Sequence, residues 1–289
     1  MPWAAYRVVF KLKSPMHIGC GKVGNVQRTR SYVTGRVFWG ALTLRLTRDA
    51  TSGSATDSKQ YKTFGDQVNS HLAFTYFYPA IAKPKKSHSE ENQNNHPDYE
   101  IPFPWDNESQ FRRRFLSSYT STALAYPQQA VDEGLLHEVE FLSPRTLDQG
   151  EQVYLVGYVF EKEGCDLQWQ DACQRLQMGG ERGYGWGDVK CGEVNPLGIG
   201  DHHLFGGRAV FIDNEEHALV ETTRLLAHTS AAEVSATGEI EPLVGREWKV
   251  ANQAGQHVEK FADPCWVPGS NVARSQFFKI EKFGIWHSA

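Results

Sequence analysis

Nowhere in the 289 residues does an apolar run approach the roughly 20 residues that a helix needs to cross a bilayer, which excludes a helical membrane protein. None of the five cysteines (Cys20, Cys165, Cys173, Cys191, Cys265) stands in a CxxC pair, and His202-His203 adjoins none of them closely. That spacing argues against a zinc site or a dithiol redox motif. Met1 to Phe10 lacks the basic, then apolar, then small-residue order of a secretory leader, so a cytoplasmic setting with reduced thiols and no structural disulfides is expected. There is no GxxxxGK[ST] loop for nucleotide phosphates. The most informative scarcity is of negative charge, because residues 1–48 contain no Asp or Glu at all.

That same segment carries nine basic residues, Arg7, Lys11, Lys13, Lys22, Arg28, Arg30, Arg36, Arg45 and Arg48, while the remaining 241 residues hold 21 basic and 34 acidic side chains. The net charge of -4 hides this asymmetry. Nine like charges repel one another unless a counter-charge lies against them, and a nucleic-acid backbone supplies one by releasing condensed counterions. The plainer alternative is that acidic residues from the rest of the chain fold onto this face.

Tyr6 to Leu12 alternates with β-branched and aromatic residues and reads as a first strand. Ser14 to Gly35 reads as a long loop with four glycines, and Arg36 to Arg48 as a helix with Phe38, Ala41, Leu42 and Leu46 on one stripe. Arg45 falls inside that stripe. Asp49 to Gln60 reads as a surface connection, Leu72 to Tyr78 as a strand, and Lys83 to Ser109 as a mobile insertion. Gln110 to Tyr126 is a candidate helix beginning on Arg112, Arg113 and Arg114, a triplet that more often forms a solvated face than a contact. Strands are expected at His137 to Leu142 and Gln152 to Phe160, a helix from Trp169 to Leu176, and a strand over Asp188 to Glu193.

The order is that of an α+β fold, a β-α-β-β-α-β ferredoxin-like unit over residues 1–195 with an insertion at about 83–109. Residues 196–289 are expected to form a mixed α/β extension packed on this core, with a strand at Arg208 to Ile212, a helix at Ala218 to Ala227, and short strands and turns from Glu239 to Trp286. No internal repeat is evident.

Between the second expected helix and its following strand lies Gly179-Gly180-Glu181-Arg182-Gly183-Tyr184-Gly185-Trp186-Gly187. A dinucleotide fingerprint follows a strand and opens a helix, so this loop has the wrong context for one. Arg182, Tyr184 and Trp186, spaced by two among glycines, suit phosphate contact and base stacking. The bland reading is a packed turn whose aromatics fill the core. Glu138 and Glu140, two apart on a strand, could form a glycosidase-like acid/base pair, but a solvated or salt-bridged face is the commoner outcome.

Pro15-Met16-His17-Ile18-Gly19-Cys20-Gly21 after a first strand, Val33-Thr34-Gly35-Arg36-Val37-Phe38-Trp39-Gly40-Ala41-Leu42 entering a helix, and the late glycine loop together resemble the RAMP superfamily of CRISPR-associated proteins. The stretch Thr122-Ala123-Leu124 through Glu133-Gly134-Leu135-Leu136-His137-Glu138-Val139-Glu140 resembles the thumb, at about 120–150, of RAMP subunits in type III effector complexes. The resemblance implies an RRM-related fold and assembly into a ribonucleoprotein with CRISPR guide RNA, other RAMP subunits and the large subunit, contacting target RNA indirectly. It implies no membrane partner and no cofactor beyond the bound guide.

On this reading Lys22, Arg28, Arg30 and Arg36 are expected to neutralise phosphates, Gly19, Gly21 and Gly183 to let the backbone approach, and Arg182, Tyr184 and Trp186 to order the RNA at its 5′ end. In target-cleaving relatives an aspartate lies between the first strand and first helix; Ser14 to Gly35 holds neither Asp nor Glu, so a non-catalytic subunit is expected. The alternative is a metal-independent endoribonuclease that processes guide precursors with His17 or His137 as acid/base. For His17, a packing or hydrogen-bonding role is the commoner outcome. An unrelated sugar-active enzyme using the eight tryptophans as stacking platforms is a third reading.

Overall fold

The alternation of the first strand places two hydrophobic layers on opposite sides of one sheet. In the computed structural model, which describes residues 2–54, 57–84, 98–125, 130–131, 135–198, 200, 202–247 and 257–289, strand β1 (Trp3–Leu12) turns Val8, Phe10 and Leu12 toward one core. Trp3 and Val9 face the other side, where separate clusters form.

A hairpin follows, β2 (Gly19–Val23) and β3 (Val26–Thr29), within the segment expected to be a loop. Helices α1 (Gly35–Ala50) and α2 (Ser58–His71) come next. The first buries Phe38, Ala41, Leu42 and Leu46, the expected stripe. The second occupies sequence whose start reads as a surface connection. It buries little besides Gly65 and Val68, so its hydrophobic period is weak. Its close approach to α1 depends on Gly65, where a Cβ would lie 2.6 Å from the Trp39 ring.

Strands β4 (Leu72–Phe74), β5 (Tyr78–Ala82) and β6 (Tyr99–Glu100) lead to helix α3 (Glu108–Phe115) and strand β7 (Leu116–Ser121). The helix expected to run to Tyr126 therefore ends at Phe115. Leu116 to Ser121 is rich in poor helix formers, and it pairs along its whole length with a later strand. Residues 85–97 of the expected insertion lie outside the described residues. Beyond them the chain is packed: Phe103 is buried and stacks on Trp105 at 5.1 Å.

The short pair β8 (Leu124–Ala125) and β9 (Ala130–Val131) precedes β10 (His137–Leu142) and β11 (Val153–Lys162). Residues 126–129 and 132–134 of the thumb-like segment are outside the described residues. Helix α4 (Trp169–Cys173) and strand β12 (Val189–Pro196) complete the first half. The main sheet has the order β12-β1-β11-β5-β6, with β4 also on β11. All these pairs are antiparallel. A second sheet, β2-β3-β10-β7, holds the hairpin against β10.

The chain then enters β13 (His203–Leu204), β14 (Ala209–Asp213) and β15 (Ala218–Arg224). The last corrects an expected helix: Ala218, Val220 and Thr222 are buried in alternation, a period of two that the apolar residues downstream obscured. Short strands β16 (Thr229–Ser230), β17 (Ile240–Glu241), β18 (Val244–Glu247), β19 (His257–Lys260) and β20 (Cys265–Trp266) precede the long β21 (Asn271–Ile280) and β22 (Trp286–Ser288). Eight of them form one sheet, β13-β14-β15-β21-β22-β16-β20-β17.

This sheet covers the face of the main sheet opposite α1. Phe211 stacks on Phe160 with centroids 4.5 Å apart, and Phe205 meets Tyr158 edge-on at 4.9 Å. Tyr158 Oη also accepts a hydrogen bond from the Phe205 N–H. Apolar surface from both halves thus shares one core, the strongest term holding them together.

Candidate nucleic-acid interface

Helix α4 buries Trp169, Ala172 and Cys173, and beyond it Leu176 and Met178 continue into the core before the chain turns at Gly179. Here φ is +86°, and a Cβ would lie 2.5 Å from the His17 carbonyl oxygen. At the far end Gly187, with φ +79°, leaves no room either, because a Cβ would come within 1.9 Å of the Met178 carbonyl oxygen. The Met178 N–H donates to Gly187 O at 2.9 Å and closes the loop at its base. Gly180 N–H donates to His17 O at 2.8 Å, and Gly187 N–H to Pro15 O at 2.7 Å. The glycine loop and the Pro15–Ile18 segment, far apart in sequence, are therefore one backbone unit.

Within the loop Gln177 donates its amide N–H groups to the carbonyls of Arg182 and Trp186, at 3.2 and 2.9 Å. This turns the Arg182–Tyr184 crest outward. Tyr184 is 81% exposed, and Arg182 is exposed with no acidic partner among the described residues. A Cβ on Gly183 would meet nothing within 4 Å. Trp186 differs, since it is half-buried and lies edge-on to Phe141 at 5.1 Å. The packed-turn reading thus describes Trp186 and not Tyr184.

The basic first segment is divided in the same way. Lys22 is exposed on β2 without an acidic partner among the described residues. Arg28 instead donates to Glu140 at 3.1 Å; that carboxylate also accepts from Thr29 N–H at 3.0 Å and pairs with Arg112. Glu140 is buried at this junction of α3, β3 and β10, in the salt-bridged role rather than as half of an acid pair. Arg30 binds Glu241 with two hydrogen bonds, of 2.6 and 3.2 Å. Arg36 lies over the rings of Phe261 and Phe283, at 4.2 and 4.9 Å. Arg7 pairs with Glu193 at 3.0 Å, Lys13 with Asp188 at 3.6 Å, and Arg45 with Asp49. Acidic residues from the rest of the chain therefore fold onto much of this face. Gly19 stands beside the His17 ring, where a Cβ would lie 3.2 Å from Nε2, and Gly21 borders open space.

Arg30 leads into a buried relay. Glu241 also accepts from His228 Nε2 at 2.5 Å, and His228 Nδ1 lies 2.7 Å from Tyr76 Oη. Burial pushes His228 below its ordinary value despite the opposing pull of Glu241, which keeps the ring neutral. A neutral ring with Nε2–H donating to the carboxylate leaves Nδ1 to accept from the tyrosine. Burial raises Glu241, but its hydrogen bonds to His228 and Arg30 outweigh this and bring it down to about 2.

His17 is buried, with Nδ1 2.7 Å from the Glu140 carbonyl oxygen. A carbonyl only accepts, so Nδ1 carries the proton. His137 is exposed, with Nε2 2.9 Å from Ser121 Oγ and Nδ1 3.2 Å from the Leu135 carbonyl oxygen. Neither ring is paired with a carboxylate among the described residues. No group of three or more potential metal ligands occurs among the described residues.

A cleft of about 1190 Å³ adjoins the loop. It is lined by His17, Gly179 and Arg182, by Arg36 and Trp39 of α1, and by residues of α2 and of the Lys282–Gly284 turn. Sequence reasoning missed Gln177, Glu241 and the contribution of α2. Gln177 carried no local signal, and the Arg30–Glu241 pair spans 211 positions.

The RAMP superfamily matches residues 9–190. No curated protein matches the sequence. Among solved structures, a chain of type III-B Cmr-beta bound to cognate target RNA and AMPPnP is similar at 12% identity and a TM-score of 0.49, covering 91% of this chain and 84% of that one. A chain of type III-B Cmr-beta bound to cognate target RNA gives 11% identity and a TM-score of 0.42, covering 65% and 96%. A chain of the Cmr-beta apo state gives 13% and 0.39, with the same coverage.

Proposed function

The chain belongs to the RAMP superfamily, and from that premise we propose that it is a non-catalytic, RNA-binding structural subunit of a type III CRISPR interference ribonucleoprotein. It holds guide RNA and contacts neighbouring RAMP subunits and the large subunit in the cytoplasm. The observation that carries this reading is the glycine loop. Its base is stapled to Pro15–Ile18, and its crest offers Arg182 and an 81% exposed Tyr184 to solvent. A guanidinium beside a free aromatic face suits a phosphate and an adjoining base. Exposed Lys22 adds a second phosphate contact.

The path β1-α1-β5-β11-α4-β12, with spatial order β12-β1-β11-β5 and antiparallel neighbours, supports a ferredoxin-like core for residues 1–195. Residues 196–289 then act as an extension of that core. The type III assignment is supported by the resemblance of residues 122–140 to the thumb of type III RAMP subunits. A non-catalytic role is supported by the acid-free Ser14 to Gly35 segment and by the hydrogen bonding of His17.

The test uses the full chain and a fluorescent single-stranded repeat RNA in EDTA. Arg182→Ala with Tyr184→Ala is expected to weaken binding at least tenfold, with the RNA left intact. Specific cleavage lost in His17→Ala would replace this reading with the endoribonuclease.

A further inference from the structure

We propose that the groove running from the glycine loop between α1–α2 and the Lys282–Gly284 turn carries a second stretch of single-stranded RNA, continuous with the stretch held at the loop. The inference rests on the functional reading above and extends its site.

Among the described residues six cations line the cleft, Arg30, Arg36, Lys59, Lys62, Arg182 and Lys282, against one carboxylate, Asp66. Lys62 is neutralised by Asp66 at 2.5 Å and Arg30 by Glu241. Arg36 is seated on Phe261 and Phe283. Lys59, Arg182 and Lys282 are exposed and have no acidic partner among the described residues. These three come from α2, the glycine loop and the C-terminal turn, so the positive charge belongs to the groove and not to one element. Such a surplus is retained at a cost in self-repulsion unless a polyanion relieves it.

Dimensions favour an extended ligand. The volume of about 1190 Å³ exceeds the roughly 300–1,000 Å³ of small-molecule pockets. Lining residues on α1 run from Thr34 to Leu44, which at about 1.5 Å per residue gives a track of roughly 15 Å. Arg182 both lines the groove and stands on the exposed crest, so a strand bound at the loop enters the groove without a break. That continuity favours RNA over an acidic peptide.

The walls are built to hold this shape. The backbone at Gly35 meets the turn directly, since a Cβ there would lie 2.1 Å from the Phe283 carbonyl oxygen. Trp39 donates its indole N–H to the Gly65 carbonyl oxygen at 3.0 Å and meets Phe283 edge-on at 4.9 Å, tying α1 to both walls.

The experiment measures binding of the full chain to oligoribonucleotides of increasing length across a salt series, for the unaltered protein, Lys59→Ala with Lys282→Ala, and Arg182→Ala with Tyr184→Ala. Both lysines are exposed, and a matched urea midpoint checks that the fold is kept. The lysine pair is expected to cost about tenfold in affinity for long RNA, leave the shortest RNA unaffected, and lower the salt slope by about 1.4, as loss of two phosphate contacts to a single strand requires. Loss of binding in the loop variant with none in the lysine variant would overturn the groove and leave the loop reading standing. No RNA affinity in the unaltered protein would overturn both. A protein partner that binds through Lys59 and Lys282 while RNA affinity is unchanged would also overturn the groove.

Discussion

At the residue scale, the clearest expectations come from atoms with nowhere to go. Gly187→Ala forces a positive φ on alanine and drives its Cβ into the Met178 carbonyl, so destabilisation of at least about 2 kcal/mol is expected in urea unfolding. Gly183→Ala, facing open space, is expected to change stability by less than about 0.5 kcal/mol in the same measurement. The Glu241 carboxylate gives a pH signature. Because its pKa is held at about 2 in the folded chain, below the ordinary carboxylate range, its stabilisation is complete above about pH 4.5 and is lost as pH falls toward 2. This contribution is on the order of 3 kcal/mol. Urea midpoints of the unaltered protein and Glu241→Gln are thus expected to differ near pH 6 and converge near pH 2. The acid at position 241 gave no hint of this in the sequence, because its partner Arg30 lies 211 positions away and reads equally well as a phosphate ligand. Tyr184, between Gly183 and Gly185, is exposed, whereas Trp186, between Gly185 and Gly187, packs on Phe141, so the glycine spacing alone did not separate the two.

At the scale of elements, β1 and α1 were legible because each is long enough to show its period, and β11 because its continuous apolar run is buried almost throughout. The segments read incorrectly were short or changed period part-way. Arg112 to Phe115 is helical and Leu116 to Ser121 is strand, with no glycine or proline to mark the change; the ladder with β10 decides it. The residues Ala218–Arg224 read as helix when joined to Leu225, Leu226 and Ala227, yet β14 and β21 on either side hold them extended. Tertiary pairing overrides local preference at both places. The junction of α1 with the C-terminal turn is equally specific. Gly35→Ala is expected to push the Phe283 backbone away and loosen the turn without unfolding the main sheet, which amide exchange at residues 282–286 measures.

For the whole molecule, the two halves share one hydrophobic layer. Phe160, Tyr158 and Tyr78 of the main sheet are covered by Phe205, Phe211 and neighbouring residues of the second half. A chain ending at residue 195 would expose this aromatic surface and is expected to aggregate or bind a hydrophobic dye when expressed alone. The charge asymmetry acts at this scale as well. The second half neutralises Arg30 through Glu241, while Lys22, Arg182, Lys59 and Lys282 have no acidic partner among the described residues. Composition revealed the asymmetry but not which cations would stay unpaired.

The central claim is that the unpaired charge and exposed tyrosine of the glycine loop hold guide RNA within a multisubunit particle. The most direct measurement is to recover the full chain from its native host at moderate salt, sequence the RNA that accompanies it and identify the associated proteins. The account predicts short RNAs of uniform length sharing one repeat-derived 5′ end, together with other RAMP subunits. Recovery of the chain without RNA and without partners would contradict it.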